Sequence, residues 1–213
     1  MNNGNKLLKK VANDLLDISA VKFSPKDPFT WASGIISPIY TDNRMTIAYP
    51  VIRKNIADGL SELIISNYPD VEIIGGVATA GIPHAAFVAD RMNKPMIYVR
   101  SKSKDHGSKR QIEGAQVDNK KLVLIDDLIS TGGSVLAAAR TVQEAGANVL
   151  GIVSIFSYEL SAAEKNFSAA GLSFKSLTTY SQLIEAAIDR GELKETEIET
   201  LCEWQKDPNS WRS

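Results

Sequence analysis

Between Val71 and Phe156 the chain alternates short apolar runs with amphipathic segments, and this alternation narrows its possible folds more than any other feature. Val71–Gly75, Pro95–Val99, Lys121–Ile125 and Asn148–Phe156 read as strands, rich in Val and Ile and closed by glycine or polar residues. Between them Ile82–Met92 and Ser134–Ala145 place apolar residues at helical spacing. Strands that are apolar along their whole length need cover on both faces, which crossover helices provide. The expectation is an α/β fold with a central, mainly parallel sheet flanked by helices. Upstream, Leu7, Leu8, Val11, Leu15 and Ile18 mark an amphipathic helix over Asn5–Ala20. Phe23–Ile47 is broken by Pro25, Pro28, Gly34 and Pro38 and reads as short strands and turns. Pro50 suits the first turn of a second helix bearing Ile52, Ile56, Leu60 and Ile64. The C-terminal third continues helically and ends in Glu195–Lys206. The expected division is an N-terminal helix and cap over 1–48 and an α/β core with C-terminal helices over 49–213, in a single compact domain overall.

Composition removes several classes. With 213 residues the chain can bury a full core without metal or disulfide staples. Its 24 Lys+Arg and 25 Asp+Glu leave a net charge of −1, which argues against a general nucleic-acid binder. Cys202 stands alone and cannot close a disulfide within the chain, which suits a reducing cytosol. The longest apolar stretch, around Val149–Phe156, is far short of the roughly 20 residues a membrane span needs. Lys6, Lys9 and Lys10 are followed by Asp14 and Asp17 rather than an apolar core, so no signal peptide is expected. The expected location is the cytoplasm.

The chemistry concentrates in Val123-Leu-Ile-Asp-Asp-Leu-Ile-Ser-Thr-Gly-Gly-Ser134, a strand leading through an acidic pair into a hydroxyl-rich glycine turn that opens a helix. In open α/β sheets ligands bind beyond the carboxyl ends of the strands. Gly132 and Gly133 let the backbone close round an anion, and the amides at the helix start point at it. Ser130, Thr131 and Ser134 add hydroxyl donors. Asp126 and Asp127 would repel a phosphate in contact with them, so they should face neutral hydroxyls or a cation. A ribose 5-phosphate meets both demands, with its phosphate in the turn and its diol on the two acids. Asp and Ser also serve as plain turn and cap residues, but the whole string is longer than that role requires.

Rival motifs fail. Gly76-Val-Ala-Thr-Ala-Gly81 has Walker spacing, but Ile82-Pro83 stands where Lys-Ser/Thr is needed, and no G-x-G-x-x-G follows a strand. His84, His106 and Cys202 lack metal-ligand spacing, and no G-x-S-x-G elbow exists. Trp31, Trp204 and Trp211 are too scattered for a base-stacking platform and read as core or interface residues. Arg100–Gly114 is long, polar and basic. It reads as a lid that could bring Arg100, Lys102, Lys104 and His106 onto a phosphorylated substrate, or as a solvated loop.

Val123–Val135 resembles the 5-phosphoribosyl-1-pyrophosphate (PRPP) signature of type I phosphoribosyltransferases. Phe29–Arg44 resembles the orotate-side segment of orotate phosphoribosyltransferases, Arg100–Gly114 their mobile catalytic loop, and Gly76–Pro83 their pyrophosphate-side turn. The resemblance spans nearly the whole chain. It implies conversion of orotate and PRPP to orotidine 5′-monophosphate and pyrophosphate in pyrimidine synthesis, with Mg²⁺ carried mainly through PRPP and no protein metal site. It also implies a homodimer, an N-terminal hood, and an Arg100–Gly114 loop shared between subunits, so that Lys104 and His106 act across the interface. Lys104, Asp126 and Asp127 would be catalytic. Arg100, Lys104, His106 and the stretch Asp126, Asp127, Leu128, Ile129, Ser130, Thr131, Gly132, Gly133, Ser134 would bind PRPP, and Ser130 would face orotate.

The chain departs from the family pattern at three places. Ala32 replaces a lysine, Thr79-Ala80 replaces Tyr-Lys, and Ser157 stands about where an arginine meets the orotate carboxylate. The sequence looks like the branch with Trp-Ala-Ser-Gly or Trp-Ser-Ser-Gly in the N-terminal segment, and Arg44 is the expected substitute cation. A transferase acting on another base, such as a purine, and a PRPP-sensing regulator that binds nucleic acid are the competing functions. Neither acquires a distinguishing motif here, and no added nucleic-acid module is visible.

Overall fold

A computed structural model describes residues 3–31, 33–101 and 111–212. Helix α1 (Asn3–Asp17) leads into β1 (Val21–Phe23), β2 (Phe29–Thr30), β3 (Ile36–Ser37) and β4 (Ile39–Thr41). Strand β1 pairs antiparallel with β4, and β2 with β3. A 3-10 turn over Asn43–Ala48 precedes α2 (Pro50–Asn67), whose first position is the expected proline.

The core follows in the order β5 (Ile73–Val77), α3 (Gly81–Met92), β6 (Met96–Val99), β7 (Ile112–Gly114), β8 (Lys121–Ile129), α4 (Gly133–Glu144) and β9 (Asn148–Ser157). It closes with α5 (Ser161–Ala169), β10 (Phe174–Thr179), α6 (Tyr180–Asp189) and α7 (Glu195–Lys206). Six strands form one sheet in the order β10-β9-β8-β5-β6-β7, parallel except for β7. An α/β architecture, with helices on both faces of a mainly parallel sheet, is therefore what the alternating pattern produced.

Two buried clusters lie on the two faces of this sheet. Val123 and Ile125 of β8 join Leu15, Leu60, Ala85 and Leu183 from α1, α2, α3 and α6. Leu122 and Leu124 point the other way, to Val135, Ala139 and Phe167 from α4 and α5. This alternation within an apolar run is the reason β8 is hydrophobic along its length.

Three elements differ from expectation. Strand β8 does not stop at Ile125 but continues through the acidic pair to Ile129. Strand β9 runs alongside and offers Ser154, Phe156 and Ser157 as partners to Asp126, Leu128 and Ile129. The end of the basic segment is not loop: Ile112–Gly114 pairs antiparallel with β6 as an edge strand. The C-terminal third is not wholly helical either, because Phe174–Thr179 pairs with β9 as the opposite edge.

Candidate active site

The sheet order places a switch point between β5 and β8. The chain leaves β5 into α3 and β8 into α4, and these helices bury their apolar sides in opposite clusters. A crevice opens at the carboxyl ends of the two strands where their connections diverge, which is where ligands bind in such sheets. The stretch Asp126–Ser134 runs through the end of β8 and into the start of α4 at this edge of the sheet.

Asp126 is buried, and its Oδ1 accepts the Asp127 main-chain N–H at 2.9 Å. Burial, then the neighbouring Asp127 carboxylate, holds the Asp126 carboxyl well above the usual carboxylate range, while the Ser134 hydroxyl acts against this. Burial also raises Asp127, opposed by its hydrogen bond to Asp126 and by the Arg44 charge. The pair thus holds negative charge reluctantly, as acids poised for hydroxyl partners would. The Asp127 carbonyl accepts Asn43 Nδ2 at 2.7 Å, across 84 residues of sequence.

Beyond the acids the turn is held open from α5. Asn166 Nδ2 donates to the Thr131 carbonyl at 2.9 Å. Gly132 sits at φ 78, and a Cβ there would lie 2.5 Å from the Phe167 ring, so both conformation and space demand glycine. Helix α4 then starts at Gly133, and its first-turn N–H groups have no acceptor within the helix. These donors, with the hydroxyls of Ser130, Thr131 and Ser134 nearby, are of the kind that can receive an anion at a helix start. Leu128 and Ile129 differ from the rest of the signature because their side chains pack into the two core clusters, leaving main chain for any ligand.

The opposite wall is brought close by glycines. A Cβ on Gly81 would strike the Ile125 carbonyl and come within 3.1 Å of Asp126 Cα, so α3 begins directly against β8. The turn before it, with a cis peptide at Ala78–Thr79, faces the same crevice. Ala78, Arg100, Gln111 and Ser134 share a cavity of about 140 Å³ beside it, where a buried Arg100 Nη1 has no partner among the described residues. Arg100 N–H donates to the Gln111 carbonyl at 2.9 Å, closing the base of the basic segment. Lys104 and His106, like Ala32, lie outside the described residues.

Arg44 lies close enough to Asp127 to feel its charge, but its guanidinium already grips Asp42, with Nε to Oδ1 at 2.6 Å and Nη2 to Oδ2 at 2.8 Å. Service as a substitute cation would require that fork to open. Ser157 is buried and accepts the Glu159 N–H at 3.1 Å. Asn43 is the functional candidate that sequence reasoning missed; a lone Asn after an Asp carries no pattern pointing to a strand so distant.

Among the described residues no group of three or more His, Cys, Asp or Glu could hold a metal ion. His84 is buried without a ring partner among them, and burial lowers it to about 4, keeping the imidazole neutral. Trp31 and Trp204 are neighbours in an aromatic cluster, with centroids 5.6 Å apart, and serve packing. Among the described residues no helix is long and apolar enough to cross a membrane.

This fold and crevice define a phosphoribosyl transferase: the phosphoribosyl transferase domain family matches residues 46–174. Orotate phosphoribosyltransferases from Levilactobacillus brevis and Enterococcus faecalis are 57% and 54% identical to it. They cover 96% and 97% of this chain, and 98% of each relative is matched. The chain belongs to the orotate phosphoribosyltransferase family. The crystal structure of the Aeropyrum pernix orotate phosphoribosyltransferase superposes with a TM-score of 0.75 at 26% identity, covering 86% of this chain and 99% of that one. Leishmania donovani UMP synthase aligns with a TM-score of 0.80 at 27% identity; the match spans 92% of this chain and 42% of the synthase.

Proposed function

We propose that this chain transfers the 5-phosphoribosyl group of PRPP to orotate, giving orotidine 5′-monophosphate and pyrophosphate in pyrimidine biosynthesis. The observation that carries this reading is the acid pair, Asp126 buried and Asp127 half-buried, joined to an amide-lined turn at the switch-point crevice. The 5-phosphate enters the turn at the α4 N-terminus, and the ribose hydroxyls lie on Asp126 and Asp127, where neutral donors suit acids that resist ionisation. As the C1–O bond to pyrophosphate breaks and the orotate nitrogen approaches, positive charge grows on the ribose ring and negative charge on the leaving group. Asp126 and Asp127 fix the sugar in line. Arg100 at the cavity, with Lys104 and His106 from the basic segment, supplies cationic charge to the leaving pyrophosphate. Ser130 faces the base.

The donor set fits Mg²⁺ carried on substrate: Mg²⁺ commonly combines one or two carboxylates with substrate phosphates, and Asp126 and Asp127 stand beside the turn proposed for the phosphate. Bound with PRPP, the ion would offset charge on the pyrophosphate. A homodimer sharing the Arg100–Gly114 loop between subunits, an N-terminal helix and hood over 1–48 on a core over 49–213, and a cytoplasmic location complete the reading.

The test is pyrophosphate release from PRPP and Mg²⁺ with orotate, adenine, hypoxanthine, xanthine or uracil supplied singly. Turnover with orotate alone is expected. Preference for a purine would replace the reading with another transferase, and no release with any base would remove it.

A further inference from the structure

Strand β8 outruns its neighbour at the site. Strand β5 pairs with it only as far as Ile125, so beyond that point β9 is its one neighbouring strand. Side chains take over there. The Asp127 N–H is held by Asp126 Oδ1 at 2.9 Å, and its carbonyl by Asn43 Nδ2 at 2.7 Å. Asn43 is fully buried, and its own carbonyl accepts the Thr46 hydroxyl at 2.6 Å, which fixes the 3-10 turn from which it reaches. The amide therefore has little freedom, and it replaces a missing strand at the residue whose carboxylate must be aimed.

We infer that Asn43 is a positioning residue for phosphoribosyl transfer, acting through the Asp127 main chain to hold that carboxylate against the ribose diol. Asn43 also lies within Phe29–Arg44, the N-terminal segment that resembles the orotate side of the family, so the same bond ties the proposed base-binding wall to the sugar-binding wall. The inference rests on the proposed role of Asp127 in binding ribose. Its mechanism is geometric: a strand end with one free edge can shift by the fraction of an ångström that misdirects a carboxylate, and small misplacements lose catalysis steeply.

A double-mutant cycle on kcat/KM for PRPP separates this role from mere support of the fold. Asn43→Ala and the nearly isosteric Asn43→Asp, which loses the donor, are each expected to lower kcat/KM about tenfold. In an Asp127→Asn background the same changes should cost less than about threefold, because the carboxylate they position is gone. The KM for PRPP is expected to rise more than that for orotate. Penalties that simply multiply across the two backgrounds, or Asn43 variants with undiminished kcat/KM, would overturn the inference while leaving wild-type orotate turnover intact. Absence of that turnover in the wild type would overturn the proposed reaction itself.

Discussion

At the residue scale, the protein buries the Asp126 carboxyl beside the half-buried carboxyl of Asp127. Asp126 binds its proton more tightly in the folded chain than in the unfolded one, where the ordinary value is 3.8. Folding stability attributable to this group is therefore greatest at low pH and declines as pH rises above that value. At neutral pH the residue opposes folding, so selection for the fold alone would not place it there. Asp126→Asn should accordingly raise the melting temperature at pH 7, with the gain shrinking toward pH 4, while phosphoribosyl transfer falls steeply. Thermal melts across pH 4–8 check the sign. A variant that is less stable at pH 7 would mean that the hydrogen bonds to Asp127 N–H and Ser134 outweigh the burial penalty.

At the element scale, α7 is tied to the N-terminal segment before α2. Trp204 of α7 is fully buried, packs against Trp31, Tyr158 and Tyr180, and donates its Nε1–H to the Ile36 carbonyl at 2.9 Å. Trp204→Phe keeps most of the packing and leaves that carbonyl unpaired. A loss of about 1–3 kcal/mol is expected in denaturant unfolding, with KM for orotate rising more than KM for PRPP. Equal changes in KM for both substrates would disconnect the residues around Ile36 from binding of the base. The elements themselves were unevenly legible. Helices α3, α4 and α7 announced themselves by spacing and turn residues, and β9 by an unbroken apolar run. Strands β7 and β10 did not, because each is a short edge element whose pairing partner lies elsewhere in the chain. The extension of β8 through two aspartates was hidden for the same reason: β9 supplies the pairing, and Asp has little strand propensity of its own.

At the scale of the whole molecule, the site exists because the sheet reverses its winding between β5 and β8, sending α3 and α4 to opposite faces. The acid pair, the glycine turn and the glycine-bounded opposite wall were all readable as local strings, and the fold gathers them at one crevice. What could not be read was the long-range support, Asn43 reaching Asp127 and Asn166 holding the Thr131 carbonyl, and the local engagement of Arg44 by Asp42. The two asparagines reach distant main-chain carbonyls through tertiary geometry, and Arg44 is taken by a local competitor, none of which a spacing rule encodes. The account as a whole stands on that crevice being a ribose-phosphate pocket. Titration calorimetry of PRPP with Mg²⁺, into the wild type and into a folded Asp126→Asn/Asp127→Asn variant, tests it most directly. Saturable binding at one site per chain, weakened at least about a hundredfold by the paired substitution, is the predicted result; no heat with the wild type, or equal affinity in both proteins, would contradict it.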